Sequence, residues 1–331
     1  MQAQVIQAFG DPSVFSPMTV PKPTLEAGSV IIQVHATSVN PVDTKIRSGS
    51  YAAMVPFFPA ILHADVAGVV TEVSPDVSRF KVGDEVFGCA GGLAGYNGAL
   101  AEYMLADARL LAKKPRSLSM IEAAALPLVS ITAWEALFEK ISIQPRQKVL
   151  IHAGTGGVGH IAVQLAKWAG AEVTATVSSN ETAKIARSLG AMETINYREE
   201  TVAEYKDRIT QGVGYDIVFD TVGNENLYNS MEAIKLYGDI VTTLAHDKIS
   251  LSQLQAKSGS IHIVFMLIPL IHNVQRERQG KIMEKIAELA DSGHVKPLID
   301  SQQFSLDDIS KAHAHLESGK AMGKIVVSNR I

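Results

Sequence analysis

Three glycines with the spacing G-x-G-x-x-G give this sequence its clearest chemical signal. They lie in the run Gly154-Thr155-Gly156-Gly157-Val158-Gly159. The run follows an apolar segment, residues 148–153, typical of a strand, and it opens a segment, residues 158–169, typical of a helix. In that context the glycines allow a tight turn and a close approach to a pyrophosphate, which the helix N-terminus attracts. The pattern predicts a dinucleotide site rather than a strand–helix turn without a ligand.

The end of the next predicted strand bears on which dinucleotide is bound. Residues 172–177 are predicted to form it, and the chain continues as Ser178-Ser179-Asn180. NAD-binding sites usually place an acidic residue here, about 20 residues after the glycines, to bind the ribose 2′-hydroxyl. Here no carboxylate would repel a 2′-phosphate, and the hydroxyls of Ser178 and Ser179 can donate to one. We therefore expect NADPH to be preferred, with use of either cofactor, NADH included, as the alternative.

Strand and helix patterns alternate from about residue 148 to residue 244. The predicted strands are 148–153, 172–177, 216–220 and 239–244, and the predicted helices are 158–169, 181–189 and 225–236. Such alternation predicts an α/β domain with a doubly wound parallel sheet and right-handed crossovers. The first third instead contains short strands with turn residues between them, at 30–39, 66–73 and 80–87. It predicts a small barrel or a folded antiparallel sheet.

A change of pattern separates these two regions. Ser119 and Glu122 have the spacing of a helix capping box, and an Ala/Leu-rich segment follows. At 331 residues the chain is long enough for about two domains. A last parallel strand is predicted at residues 260–267, and the apolar run 263–271 is predicted to be a buried strand because it is too short to span a bilayer.

Composition excludes several classes of protein. Lys and Arg number 30 and Asp and Glu 34, a formal net charge of −4, and no dense basic run is present. We therefore expect no nucleic-acid partner and no membrane partner. Cys89 is the single cysteine, which rules out an internal disulfide and cysteine-based zinc modules. A reducing, cytoplasmic location is expected.

Four separated segments carry a resemblance to a known family. They are Asn40-Pro41-Val42-Asp43, Asp65-Val66-Ala67-Gly68-Val69-Val70, Val82-Gly83-Asp84-Glu85-Val86 and the stretch from Ile151 to Gly159. In this order they resemble the medium-chain dehydrogenase/reductase superfamily, and within it the zinc-free quinone oxidoreductase branch. The resemblance implies a GroES-like β-rich catalytic domain, residues 1–124 and 266–331, with a Rossmann NADP(H)-binding domain, residues 125–265, inserted. It also implies a cleft between the domains and a homodimer.

The same resemblance allows a metal site to be tested residue by residue. Zinc-dependent relatives have a cysteine ligand where Asn40 stands and a histidine where Ala64 stands. His63 is one residue out of register, which in a strand turns its side chain to the other face. No zinc is therefore expected. His313 and His315, two residues apart in a predicted helix, are expected at the surface.

Without zinc, hydrogen-bond donors must stabilise the negative charge that develops on the acceptor oxygen. The resemblance carries this catalytic role to Asn40, Asp43 and Tyr51. Each has a plainer alternative: a turn residue before Pro41 for Asn40, a helix cap or salt bridge for Asp43, and packing for Tyr51. Lys45 stands where the family often has a tyrosine.

Further cofactor contacts follow from the resemblance. It places Thr132 near the nicotinamide and Tyr197 near the adenosine 2′-phosphate, with helix packing and surface packing as the respective alternatives. The loop after Leu244 is expected to approach the nicotinamide, and Lys324 is a candidate cofactor contact or else a solvated charge. Thr182 stands where quinone oxidoreductases have a lysine that binds the 2′-phosphate.

Together these expectations describe an NADPH-dependent, zinc-free oxidoreductase that transfers hydride to a small quinone or α,β-unsaturated carbonyl. Two other functions remain open on the sequence. One is a zinc-type alcohol dehydrogenase, and the other is a non-catalytic NADPH-binding protein.

Overall fold

The computed structural model describes residues 1–243 and 248–329 of the chain. These fall into two compact units. Unit 1 comprises Met1–Ile131 and Leu267–Ile331, and unit 2 comprises Thr132–Met266.

The strands of the described residues are labelled β1 to β15 in chain order. They are Gln2–Ile6, Phe15–Thr19, Ser29–Val39, Asp65–Val73, Glu85–Cys89, Tyr103–Asp107, Leu111–Lys113, Lys148–Ile151, Glu172–Val177, Glu193–Asn196, Tyr215–Asp220, Ile234–Thr242, Ser260–Ile263, Phe304–Ser305 and Ile325–Ser328.

The α-helices of the same residues are labelled α1 to α11. They are Pro41–Ser48, Met120–Ala124, Pro127–Trp134, Gly157–Trp168, Asn180–Leu189, Val202–Thr210, Asn226–Ala233, Ser252–Ala256, Ile268–His272, Arg276–Asp291 and Ile309–Glu317. Single 3₁₀ turns lie at Pro12–Val14, Ala52–Met54, Ala108–Leu110 and Leu306–Asp308, and a π-helix at Glu135–Lys140 follows α3.

Unit 1 is built on a mainly antiparallel sheet, in the strand order β14-β15-β3-β4-β5-β7, with β6 also paired to β3. The long strand β3 is central because its Val and Ile side chains are buried along nearly its whole length. The last strand, β15, pairs antiparallel to the end of β3, with Ile325 opposite Val39. The strands of unit 1 therefore come from both ends of the chain, and the expected β-rich fold is confirmed.

Unit 2 contains a six-stranded parallel sheet in the order β10-β9-β8-β11-β12-β13. Numbered from its own first strand, the order is 3-2-1-4-5-6, which is that of the Rossmann fold. Its strands are buried and rich in β-branched residues, as parallel strands covered on both faces must be. The predicted doubly wound sheet is confirmed.

The Ser119–Glu122 capping box is also confirmed. The Ser119 hydroxyl accepts from the Glu122 backbone N–H at 3.2 Å, and the Glu122 carboxylate accepts from the Ser119 N–H at 2.8 Å. Helix α2 begins directly after Ser119.

Two predicted elements have different boundaries in the structure. The predicted helix 225–236 ends at Ala233, because Ile234 already pairs with Tyr215 as the first residue of β12. The apolar run 263–271 is not one buried strand. Strand β13 ends at Ile263 and α9 begins at Ile268, with Pro269 in its first turn, where a missing N–H is tolerated. Ile263, which is 54% exposed, belongs to the surface.

Candidate dinucleotide site and buried polar network

The glycine run lies at the carboxyl end of β8, the central strand of the parallel sheet, and leads into α4. A Cβ on Gly154 would come within 2.5 Å of the Ala175 Cβ on β9. A Cβ on Gly159 would lie 2.0 Å from the Ala153 carbonyl oxygen. Both glycines are therefore required for the strand–turn–helix packing.

Gly156 has a different role, because a Cβ on it would meet nothing closer than 3.1 Å. It is the N-cap of α4, and its neighbours Thr155, Gly157 and Val158 are partly exposed. The first N–H groups of a helix have no partner within the helix and carry its positive dipole end. A loop with glycine at positions 154, 156 and 157 in front of these groups leaves room for a pyrophosphate.

The end of β9 is the second part of this site. Val177 is its last residue, and Ser178 and Ser179 follow, both partly exposed. Ser179 caps α5 by accepting from the Thr182 N–H at 3.2 Å, and the Thr182 hydroxyl accepts from the Ser179 N–H at 3.0 Å. Thr182, at the position of the family lysine, thus serves the helix N-terminus.

A basic residue that the sequence analysis did not single out lies beside this strand end. The Tyr197 N–H donates to the Val177 carbonyl oxygen at 3.2 Å, which fixes Tyr197 against the end of β9. The exposed Arg198 follows it, with the guanidinium 5.6 Å from the centre of the Tyr197 ring, within cation–π range. Arg198 supplies a positive charge where Thr182 does not. Its position after Tyr197 is a signal that sequence inspection could have used.

Two other cofactor contacts are predicted from the sequence, at Thr132 and at the loop after Leu244. Thr132 is buried in α3, and its nicotinamide contact stays a prediction. Leu244 lies outside the described residues, so the expectation about the loop after it is not addressed by the structure.

In unit 1, Asn40 occupies the junction between β3 and α1 and is 0% exposed. Its backbone N–H donates to an Asp43 carboxylate oxygen at 2.7 Å, so Asp43 caps the helix. Its side-chain Nδ2 donates to Asp65 Oδ2 at 2.8 Å, and its Oδ1 accepts from the Lys324 ammonium. Asn40 is therefore a member of a buried polar network, and its contact with substrate stays a prediction.

Asp65, the first residue of β4, is the centre of that network. The Ser38 hydroxyl donates to its Oδ2 at 2.7 Å, and the Leu128 N–H donates to its Oδ1 at 2.8 Å. The Lys324 Nζ lies 3.6 Å from Oδ2. Neither Asp65 nor Ser38 was singled out from the sequence as a site residue.

Lys324 is buried, which excludes the alternative of a solvated charge, and its Nζ also donates to the Val39 carbonyl oxygen at 3.2 Å. The pairing of β15 with the end of β3 brings it there. The preceding Gly323 has a φ of +70°, and a Cβ there would lie 2.1 Å from the Leu298 oxygen, so the approach to Lys324 requires glycine. A cofactor contact for Lys324 stays a prediction.

Burial shifts the pKa of three ionisable groups in or beside this network, Asp43, Lys324 and Cys89. Desolvation raises the pKa of Asp43 to about 7, helped by the charge of Asp65 and opposed by the Asn40 N–H and Lys324. Desolvation lowers the pKa of Lys324, against the attraction of Asp65 and Asp43. It also raises the pKa of the Cys89 thiol, which sits opposite Asp65 across β4 and β5. Asp43 is therefore the carboxyl group that can hold a proton near neutral pH.

Tyr51 differs from Asn40 and Asp43 because it is partly exposed. Its N–H donates to the Lys45 carbonyl oxygen at 3.1 Å, and the Lys45 Nζ lies 5.4 Å from the centre of its ring. Lys45, at the position where the family often has a tyrosine, therefore contacts the ring of Tyr51.

The prediction that His313 and His315 are surface residues is wrong. His313 is buried, and its Nε2 lies 2.9 Å from Nε2 of the buried His63. His315 Nε2 lies 3.1 Å from Asp300 Oδ1 and its side chain is largely covered. Among the described residues, no group of three or more His, Cys, Asp or Glu side chains is arranged to hold a metal ion.

Sequence families and solved structures match this chain along its length. The alcohol dehydrogenase GroES-like domain family matches residues 26–116, and the zinc-binding dehydrogenase family matches residues 189–327. A zinc-type alcohol dehydrogenase-like protein of Staphylococcus aureus is 36% identical over 318 residues, covering 93% of this chain and 92% of that protein. The chain belongs to the medium-chain dehydrogenase/reductase superfamily.

Other relatives place it in the quinone oxidoreductase branch of this superfamily of oxidoreductases. The 2-methylene-furan-3-one reductase of Solanum lycopersicum is 34% identical over 312 residues, which cover 92% of this chain and 73% of that protein. The structure of Escherichia coli quinone oxidoreductase, described as complexed with NADPH, has a TM-score of 0.89 and 29% identity, covering 99% of this chain and 100% of that one.

The names of a matching family and of a relative include zinc. The residues of unit 1 do not fit a zinc site of the kind found in zinc-dependent members. Asn40 and Ala64 stand where the zinc-dependent members have ligands, and Ala64 has no donor atom. His63 uses Nε2 on His313 and Nδ1 on Thr37 Oγ1, at 3.2 Å. The Lys324 ammonium already lies between Asn40 and Asp65. A second cation there would be repelled.

No helix in residues 1–243 or 248–329 has both the length and the apolar character needed to cross a bilayer.

Proposed function

We propose that this protein is an NADPH-dependent, zinc-independent reductase that transfers hydride to a quinone or an α,β-unsaturated carbonyl compound. The observation that carries the proposal is the glycine-rich run in front of the α4 N-terminus, at the carboxyl end of the central strand β8. The relatives named as a quinone oxidoreductase and a furanone reductase support the two acceptor classes.

The preference for NADPH is supported by the end of β9. No carboxylate follows Val177, so a 2′-phosphate meets the hydroxyls of Ser178 and Ser179 rather than a like charge. Tyr197 and the guanidinium of Arg198 lie beside them. Arg is well suited to phosphate because its donors form a rigid fork. NADH would lack these contacts and is expected to bind more weakly.

A bound nicotinamide supplies the hydride, and the chain supplies binding groups and hydrogen-bond donors. Negative charge develops on the acceptor oxygen and is stabilised best by donors already in place. We assign this role to Asn40, whose amide nitrogen has a second hydrogen beyond the one given to Asp65, and to the phenol of Tyr51. Asp43 can hold the proton that completes the reduction. Thr132, the loop after Leu244 and Lys324 are proposed on the nicotinamide side.

NADPH oxidation by the purified protein tests this function when quinones, enals and enones are compared in parallel. We expect turnover with at least one of these classes, weaker turnover with NADH, and no loss after prolonged chelation. Binding of NADPH without turnover of any acceptor would favour the non-catalytic alternative. Loss of turnover on chelation with recovery on adding zinc would favour the zinc-type dehydrogenase.

The proposal includes a homodimer. Strand β13 is the edge of the parallel sheet, and Ile263 at its end and the nearby Phe265 are exposed apolar side chains. Open sheet edges with apolar residues favour pairing with another strand. Light scattering after size-exclusion chromatography should give about twice the 35.5 kDa chain mass, and a monomer mass would contradict this assignment.

A further inference from the structure

The side-chain amide of Asn40 is held between a buried cation and a buried anion. Its Oδ1 accepts from the Lys324 ammonium, and its Nδ2 donates to Asp65 Oδ2 at 2.8 Å. All three residues are at most 2% exposed. The Lys324 Nζ and Asp65 Oδ2 are 3.6 Å apart, so the three side chains form a closed triangle.

We propose that Lys324 and Asp65 are positioning residues that fix the Asn40 amide in one orientation. The Lys324 ammonium is then the positive charge beside Asn40 in unit 1, which does not accommodate zinc. The proposal rests on the proposed function, since it concerns how the donor to the acceptor oxygen is held.

The chemistry of the partners allows only one orientation. An ammonium can only donate, and an ionised carboxylate can only accept. Rotating the Asn40 amide by half a turn would place its NH₂ group against the ammonium and its oxygen against the carboxylate, losing both hydrogen bonds. The second Nδ2 hydrogen of Asn40 therefore has a fixed direction.

The cation also strengthens Asn40 as a donor. Withdrawal of electron density from the amide oxygen by Lys324 polarises the N–H bonds of the same group, as in other hydrogen-bonded chains. Zinc would polarise an acceptor directly. Here the positive charge of Lys324 acts on the acceptor indirectly, through the Asn40 amide.

Stability alone does not explain the Lys324–Asp65 pair. Buried ion pairs contribute little net stability, and apolar replacements of both partners are often neutral or stabilising. Asp65 nevertheless accepts hydrogen bonds from Ser38 and the Leu128 N–H in addition to Asn40, and these three bonds fix the position of its carboxylate. Such fixing is expected where orientation matters.

The test compares three variants with the parent. Lys324→Met removes the cation and risks misfolding, because Asp65 is left as a lone buried charge. The double variant Lys324→Met/Asp65→Asn removes both charges, so no unpaired buried charge remains and the variant is expected to fold. Lys320→Met, which changes an exposed lysine of the same C-terminal segment, is the control. Neutron structures of the parent and the double variant distinguish the amide nitrogen from the oxygen, and so report the Asn40 orientation without reference to activity.

We expect the double variant to melt close to the parent but to show an Asn40 amide that is rotated or in two orientations. Its single-turnover rate of hydride transfer should fall about tenfold or more, with the control unchanged. An unaltered Asn40 orientation, or a rate within about twofold of the parent, would overturn the proposal.

A double-mutant cycle shows whether the pair acts through Asn40. In an Asn40→Ala background the charge-removing double change should cost little further rate, because the group that it positions is already absent. A full additional loss would show that Lys324 and Asp65 act otherwise. If the parent itself turns over no acceptor, the proposed function fails, and the neutron structures still decide whether the pair orients Asn40.

Discussion

The Nε2 atoms of His63 and His313 lie 2.9 Å apart in the interior of unit 1, so one proton joins two imidazole rings. Thr37 decides where that proton belongs. Its hydroxyl donates to the Asp65 carbonyl oxygen at 2.6 Å, so it accepts from His63 Nδ1, at 3.2 Å. His63 Nε2 is then the acceptor and His313 Nε2 the donor. His313 Nδ1 is buried without a hydrogen-bond partner in the described part of the chain.

His313 should make the protein sensitive to acid. Desolvation, with a smaller effect of the Arg47 charge, lowers its pKa from 6.5 to about 3. Between these values the unfolded chain binds the proton and the folded chain does not, so the free energy of unfolding falls as pH drops below 6.5. We expect His313→Gln, measured by urea unfolding at several pH values, to lose less stability than the parent between pH 6.5 and 4. The exposed His294→Gln should follow the parent, and an unchanged slope for His313→Gln would show that folding does not lower the pKa of this ring.

Asp43 should produce a pH dependence of the opposite sign. Its pKa is raised from 3.8 to about 7, mainly by burial, so the folded chain holds a proton that the unfolded chain has released. The free energy of unfolding contributed by this group therefore falls as pH rises from about 4 to 7. Asp43→Asn should gain stability relative to the parent as pH increases over that range. The exposed Asp307→Asn serves as the control, and a constant difference between Asp43→Asn and the parent would contradict the raised pKa.

A carboxylate at the end of β9 should change cofactor choice. Val177 is buried, so the partly exposed Ser178 is the better position for an added charge. We expect Ser178→Asp to bind NADPH about tenfold more weakly, through repulsion of the 2′-phosphate, and to bind NADH at least as well as the parent. Fluorescence titration with both cofactors measures this, with Ser188→Asp on the exposed face of α5 as the control. Equal weakening of both cofactors would instead indicate damage to the fold.

Arg198 should contribute to the same selectivity through attraction. Its guanidinium lies over Tyr197 beside the end of β9. Arg198→Ala is expected to raise the dissociation constant for NADPH about tenfold, the effect of losing one charge-assisted hydrogen bond, while that for NADH stays unchanged. Arg187→Ala, an exposed arginine on α5, is the matched control. If Arg187→Ala has the larger effect, the 2′-phosphate is bound from the helix and not from the end of β10.

Asn40→Ala should slow hydride transfer with little effect on NADPH affinity. Loss of one donor to a developing oxyanion typically costs about 10²–10³ in rate. Quinones are readily reduced, so we expect a smaller reduction of about tenfold, or about 1.4 kcal/mol, and a larger one with enones. Single-turnover rates with both acceptors are required because product release can mask the chemical step. Parent-like rates with every acceptor would leave Asn40 as a structural residue and favour Tyr51 as the donor.

The glycine run, the parallel sheet and the capping box could be predicted from sequence because each depends on residues close together in the chain. Turn glycines, apolar periodicity and the Ser119–Glu122 spacing act within one or two turns of backbone. The prediction of one buried strand over residues 263–271 is wrong for the same local reason. A run of nine apolar residues is compatible with either a strand or a helix, and only pairing of β13 with β12 decides that the strand stops at Ile263.

The sequence by itself determined the family, the fold of each unit and the residues of the glycine run. Each of these depends on short segments, in which turn glycines and apolar periodicity act between residues close together in the chain. Only the tertiary structure decided that Lys324 is buried against Asn40, 284 residues away, and that His313 meets His63, 250 residues away. Neither Lys324 nor His313 has a local pattern that reveals its partner. The antiparallel pairing of β15 with β3 and the packing of α11 in unit 1 bring these groups together, and burial then changes their charge and hydrogen bonding.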